Sequence, residues 1–268
     1  MFMEFTKSLP SNYMHVLTLA FLFLVTYPAQ TQTPRETQST DRAIVHRRRI
    51  VLVRPRTVAR HFPNRKTAVV TYPVISGLPP AVLRRVRSLL AFKNIFDYSL
   101  DEYRNDAWLT EFNFIVNHNA NHLLDLTFTQ SGVAAYPDEQ SKHFLINLRN
   151  GAAVAAEDAF RAEQLDTLAG LVDVRLQAEI AQRKQENARS SDLDPTQKAS
   201  IDDAYAALKF EKKDLENLSV SQQGITFLYD AGFPHVIEAL SPQGRYLFTF
   251  EELKAFIKTD GPLGQFIR

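Results

Sequence analysis

The order of apolar and polar residues divides the first part of the chain into strands and one amphipathic helix. Ile50–Val53 and Thr67–Ile75 are predicted to be strands. Pro73 within the second run indicates an edge strand or a bulge, because proline cannot donate to a strand ladder. Apolar residues then recur at helical spacing over residues 81–91, with arginines between them. This segment is predicted to be a helix with one buried face.

The middle of the chain has the pattern of a hairpin followed by helices. Trp108–Val116 and Leu123–Phe128 are predicted to be its strands, with the polar residues 117–122 as the turn. His143–Leu148 is the next predicted strand and ends in a turn at residues 149–151. The chain is then predicted to be helical from Glu157 to Ala188.

Polar residues 183–200 are predicted to form a linker or a helix break. Asp194 then has the position of an N-cap for a second helix, which ends near Lys213.

The last part of the chain returns to strands. Asn217–Val220 and Ile225–Tyr229 are predicted to form a hairpin, Val236–Leu240 another strand, and Tyr246–Thr249 a strand that leads into a capped helix. Strands on both sides of a helical middle predict the α+β class, with an antiparallel sheet and helices packed on one face.

Length and composition allow one domain or two small ones, since 45% of the 268 residues are apolar. The predicted division is an apolar N-terminal segment at 1–33, a basic arm at 34–66 and an α+β domain at 67–268. Subdomains at 67–130 and 131–268 are the alternative. The absence of cysteine excludes disulfides, cysteine nucleophiles and cysteine-based metal sites.

The N-terminal segment resembles a signal peptide. Val16–Val25 is apolar except for a threonine, and a run of this length is short of the roughly 20 residues that a spanning helix needs. We expect cleavage between Ala29 and Thr33, which places the protein outside the cytoplasm, in the periplasm or secreted. An uncleaved N-terminal anchor that begins near Tyr13 is the alternative.

The basic arm carries ten lysines and arginines over residues 35–66 against only Glu36 and Asp41. Basic residues directly after an apolar segment resist translocation, which argues against export. The arm is a candidate for binding an anionic surface, such as lipid headgroups, acidic cell-wall polymer or nucleic acid. Nucleic acid is not favoured because Phe62 is the arm's only aromatic residue. A solvated tether that contains one strand is the alternative.

One pair of histidines could suggest a metal site. His118 and His122 are four residues apart, but this spacing aligns ligands on a helix and not across a turn, although Asp125 and His143 are conceivable additional ligands. Exposed loop histidines are the favoured interpretation.

Ser99 and Glu102 have capping-box spacing, which explains the nearby acidic residues without calcium. No metal and no cofactor is therefore predicted.

Three segments of the chain resemble a known bacterial domain. They are VVTYPVISGL at Val69–Leu78, the order AYPD, FLINLRNG and EDAF within Ala135–Phe160, and residues 224–257. Together they are similar to an extracytoplasmic domain of unknown function. That domain forms the C-terminal region of a lysozyme-sensing anti-sigma factor and accompanies the catalytic domain of a peptidoglycan deacetylase.

The resemblance implies binding at the cell envelope, with a cell-wall glycan or a lysozyme-like protein as partner. Neither a sigma-binding helix before the apolar segment nor a deacetylase domain after it is recognisable, so neither parent activity is carried over.

Two functional hypotheses follow from the sequence. The first is a non-catalytic envelope binding module that uses Tyr136, Tyr229, Phe233 and His235. The second is an envelope hydrolase whose acid and base come from the following candidates: Asp138, Glu139, Asp230 and His235. A deep pocket with two converging titratable groups would favour the enzyme, and a broad apolar surface would favour binding.

Overall fold

The computed structural model describes residues 41–61, 64–133, 137–191 and 193–268, with the backbone alone at residues 235 and 236. All of them belong to one compact unit. The predicted signal segment lies outside the described residues. Of the helices in the described part of the chain, none combines the length and the apolar character that crossing a bilayer requires.

Two sheets form the β-structure of the described chain. The six-stranded sheet follows chain order and consists of β1 (Ile44–Val53), β2 (Thr67–Ser76), β3 (Leu109–Ala120), β4 (Leu123–Val133), β5 (Pro137–Asn147) and β6 (Ala152–Ala153). The three-stranded sheet consists of β7 (Leu218–Val220), β8 (Gly224–Leu228) and β9 (Arg245–Thr249).

Helices connect and cover these sheets. They are α1 (Arg56–His61), α2 (Pro80–Leu89), α3 (Lys93–Phe96), α4 (Leu100–Asn105), α5 (Ala156–Ala159), α6 (Leu165–Arg189), α7 (Pro195–Ala206) and α8 (Phe250–Leu253). Ser99, Asp194 and Thr249 each cap a helix through a hydrogen-bonded capping box. These boxes are local in sequence, and all three were predictable from it.

The α+β class is confirmed, with one parallel strand pair in the larger sheet. β2 and β3 pair in parallel at Val69 and Val70, whereas all other neighbouring strands are antiparallel. A parallel pair needs a crossover connection, and α2, α3 and α4 supply it. β2 is not an edge strand, but Pro73 lies beyond its short ladder with β3 and interrupts no bond there.

The two faces of β4 contribute to two different hydrophobic cores. Leu124, Leu126 and Phe128 pack with residues of α2, α3 and α4. Leu123 packs instead with α6, α7 and the three-stranded sheet. Helices therefore contribute to both cores, and not to a single face of one sheet.

Three local predictions differ from the structure. Residues 236–240 form part of a 3₁₀ turn, His235–Leu240, because β9 already occupies the edge of β8 at which another strand could pair. α6 continues to Arg189 through residues predicted to be a linker, and side chains four residues apart, such as Glu179 and Arg183, support it. The central hairpin turns only at Asn121 and His122, which both have positive φ.

Part of the predicted basic arm belongs to the larger sheet. β1 pairs with β2 along its full length, from Ile44 opposite Ser76 to Val53 opposite Thr67. This strand is longer than the predicted Ile50–Val53.

We predict that Glu252→Gln weakens the acid dependence of stability. The Thr249 backbone N–H donates to the Glu252 carboxylate and lowers its pKa below the ordinary value of 4.5, and the Thr249 hydroxyl and Arg175 add to this effect. A carboxylate with a lowered pKa stabilises the fold above its unfolded pKa, and that stabilisation is lost as pH falls through the folded pKa.

Glutamine keeps an acceptor for the cap but does not titrate. The free energy of unfolding, measured in urea between neutral and acidic pH, should therefore fall less steeply below about pH 4.5 than in the wild type. Glu251→Gln, at an exposed neighbouring position, is the control. An unchanged pH profile for Glu252→Gln would contradict the prediction.

Candidate functional site

An open groove of about 1030 Å³ lies between α1, α4 and the end of β4. Its volume is at the upper end of the range of roughly 300–1,000 Å³ that is typical of ligand sites. Five of the eleven side chains that line it are apolar or aromatic, with Tyr98 and Trp108 as the largest. The polar lining includes Thr57 and Asn105.

Backbone contacts on two sides position Trp108. Its N–H donates to Asp106 Oδ1 at 2.8 Å, and its carbonyl accepts from the N–H of Val133 at 3.0 Å. A Cβ atom at Gly132 would lie 2.4 Å from the Trp108 carbonyl oxygen and 2.6 Å from the indole ring. Glycine at this position therefore allows the tryptophan to lie against β4.

A buried arginine holds the segment between α4 and β3 that carries Trp108. The Arg54 guanidinium donates to the backbone carbonyls of Tyr103, Asp106 and Leu109. Burial lowers the pKa of Arg54, while the negative charge of Asp106 opposes this shift. One planar group thus accepts no bond but donates to three backbone carbonyls, which fixes the end of α4 relative to β3.

The charged groups that line the groove are bonded to its walls. Glu102 accepts the Ser99 N–H at 2.6 Å, and this bond lowers the pKa of the Glu102 carboxyl. Asp106 accepts the Trp108 N–H, and Arg65 donates to the Val133 carbonyl. Both carboxylates therefore support backbone structure, which is a poor arrangement for a general acid or base.

A second polar cluster lies at the other end of β4, inside the protein. Asp125 is fully buried. Its Oδ1 accepts from Asn117 Nδ2 at 2.7 Å, and its Oδ2 accepts from Ser219 Oγ at 2.9 Å and from the Val220 N–H at 2.6 Å. The carboxylate thus joins β3 and β4 to β7.

His143 completes this cluster from β5. Its Nε2 lies 3.0 Å from Asp125 Oδ1, and its side chain is only 5% exposed. This nitrogen has no directed hydrogen bond, so the contact is one of proximity. His143 Nδ1 lies 3.1 Å from the hydroxyl of Thr127. An Asp–His–hydroxyl arrangement can activate a nucleophile, but burial keeps these groups from a substrate, and we assign the cluster a structural role.

The residues considered for a metal site do not meet as one group. Asp125 and His143 are adjacent, whereas His118 lies on β3 with its Nε2 3.1 Å from the Ala120 carbonyl and His122 lies in the turn. Within the described ranges, no group of three or more histidine, cysteine, aspartate or glutamate side chains is arranged to hold a metal ion.

Two of the predicted ligand-binding residues, Tyr229 and Phe233, are not among the side chains that line the groove. Tyr229 and Phe233 pack against the C-terminal core, where their rings are 5.8 Å from Phe210 and 5.6 Å from Tyr205. Tyr136 and the side chain of His235 lie outside the described residues. A binding role for these four residues stays a prediction.

The proposed catalytic residues do not form an acid–base pair in the described structure. Asp138 and Glu139 are consecutive on β5, so their side chains project from opposite faces. Asp230 accepts the N–H of Gly232 at 2.8 Å in a turn. Sequence reasoning missed Trp108 as a site residue, although it is the only tryptophan and follows directly after a capped helix.

A solved structure shares the fold of this chain. A DUF3298 family protein from Pseudomonas aeruginosa PAO1 superposes with a TM-score of 0.51 and 9% sequence identity over 83% of this chain and 96% of that chain. A member of the same family from Bacteroides fragilis gives a TM-score of 0.45 and 14% identity over 84% and 96% of the two chains. No protein-family model and no curated protein matches the chain. The likeness shows the α+β fold of a domain of unknown function, and it extends to no ligand or reaction.

We predict that Asp125→Asn destabilises the protein by on the order of 2–3 kcal/mol, because buried hydrogen-bond donors left without an acceptor are costly. The amide has a single acceptor oxygen for the donors of Asn117, Ser219 and Val220. Denaturant unfolding measures the loss, and Glu139→Gln at an exposed position on β5 is the control. Equal stability of the two variants would contradict the assigned structural role.

We also predict that Arg54→Lys loosens the groove wall, because one ammonium group cannot span three carbonyls as the guanidinium does. Trp108 is the only tryptophan, so its fluorescence reports this wall directly. We expect a red-shifted emission and a lower melting temperature. Arg84→Lys on the exposed face of α2 should change neither. Wild-type emission from Arg54→Lys would show that Arg54 does not position Trp108.

Proposed function

We propose that the protein is a non-catalytic binding module whose groove accepts a glycan. The observation that supports this proposal most is the lining of the groove. Tyr98 and Trp108 offer ring surface, while the carboxylates of Glu102 and Asp106 already bond to the backbone.

The mixture of rings and polar groups suits a sugar chain. Sugar rings present C–H faces that pack on aromatic rings, and their hydroxyls bond with side chains such as Thr57 and Asn105 at the same groove. Lining residues of both charge signs, such as Arg65 and Glu102, favour a ligand without strong net charge. The open shape suits a segment of a longer polymer.

The expected location of the protein indicates which class of glycan the groove would bind. The apolar N-terminal run predicts export, and the family resemblance implies a role at the cell envelope, so cell-wall glycan is the proposed ligand. The same resemblance makes a lysozyme-like protein an alternative occupant. An envelope hydrolase receives less support, because Asp138 and Glu139 project from opposite faces of β5 and Asp230 supports a turn.

The proposal predicts that soluble peptidoglycan fragments bind and change Trp108 fluorescence. Trp108→Ala should weaken binding about tenfold or more, since one buried aromatic contact contributes about 1.4 kcal/mol or more. Tyr229→Phe, remote from the groove lining, should bind like the wild type. Calorimetry measures affinity, and melting temperature verifies folding.

Other results would redirect or overturn the proposal. Absence of fragment binding to the wild type would reject a glycan site. Binding of lysozyme instead, lost in Trp108→Ala, would assign the groove to a protein partner. Release of shorter wall fragments during incubation would reject the non-catalytic role and favour the hydrolase.

A further inference from the structure

β1 forms one edge of the six-stranded sheet, and this edge is long. It has ten residues and pairs with β2 on one side. On its other side no described strand pairs with it. The Val53 end lies under α4, where Arg104 Nε donates to the Val53 carbonyl at 3.1 Å. Residues 44–52 are therefore the part of this edge that no described strand pairs with.

The side chains along this edge are basic and β-branched. Arg48 and Arg49 are exposed, and in the described part of the chain neither pairs with an acidic side chain. Being consecutive, they project from opposite faces of the strand. Ile44 is 51% exposed and Val51 is 47% exposed. Arg47 differs, since it bonds Asn113 at 2.6 Å and lies over the Phe114 ring.

The charge of the surrounding segment is of one sign. Residues 42–66 contain nine lysines and arginines and no aspartate or glutamate. A second copy of β1 would place arginine against arginine, so this edge opposes self-pairing. The same arginines attract a strand that carries acidic side chains on both faces, and the β-branched residues pack against apolar neighbours.

We infer that β1 is a docking edge for an extended acidic peptide segment of a partner protein, which adds as a further strand beside residues 44–52. Backbone hydrogen bonds along the edge supply affinity, and Arg48 and Arg49 select acidic side chains. This surface is separate from the glycan groove, so either site can bind without the other.

The probe is a synthetic peptide with a central block of glutamates flanked by valine and threonine. We expect it to bind the full chain and to slow backbone amide exchange at residues 44–52. The double variant Arg48→Glu and Arg49→Glu should weaken binding at least tenfold. The charge-matched control, Arg84→Glu with Arg149→Glu, reverses two exposed arginines outside β1 and should bind like the wild type.

A second peptide distinguishes binding through strand pairing from binding through charge attraction alone. It has the same sequence with every amide of its central block N-methylated, so it keeps its charge but cannot donate backbone hydrogen bonds from either edge, and we expect its binding to be lost. Equal affinity for the two peptides would overturn the inference, as would absent binding or unchanged amide exchange. Tighter binding to vesicles of anionic phospholipid than to the peptide, lost in the Arg48 and Arg49 variant, would overturn it in favour of a membrane surface.

Discussion

The docking of the two sheets depends on one buried carboxylate. A buried carboxylate is costly unless hydrogen-bond donors surround it, and Asp125 has donors from Asn117, Ser219 and Val220 with His143 close by. Ser219 lies 94 residues further along the chain. Because another register of β7 would leave the carboxylate without these donors, the cluster specifies how the C-terminal half meets the hairpin.

β4 connects this constraint to the candidate site. Asp125 lies near its beginning, and Gly132 and Val133 lie at its end, against Trp108. The two places are about 25 Å apart at the rise of an extended strand. The structural cluster is therefore remote from the groove, and groove side chains can differ without loss of the contact between the sheets. At the groove itself, Arg54 holds the wall in place by donating to backbone carbonyls.

The polar groups of the protein favour recognition over catalysis. Glu102 and Asp106 line a groove but bond to its backbone, while Asp125 and His143 have the composition of a reactive pair but are buried. Accessible ring surface and carboxylates committed to structure are the basis of the proposed binding role. The arginines of β1 are the basis of the second proposal, a docking edge for an acidic strand.

The sequence by itself determined what depends on near neighbours. Strand alternation and helix caps predicted the α+β class, the central hairpin and the capping boxes at Ser99, Asp194 and Thr249, because these features involve residues a few positions apart. Only the tertiary structure decided the parallel pairing of β2 with β3, the burial of Asp125 and the groove around Trp108. Each of these needs side chains or strands from distant parts of the chain, and residue type and spacing do not specify which distant groups meet.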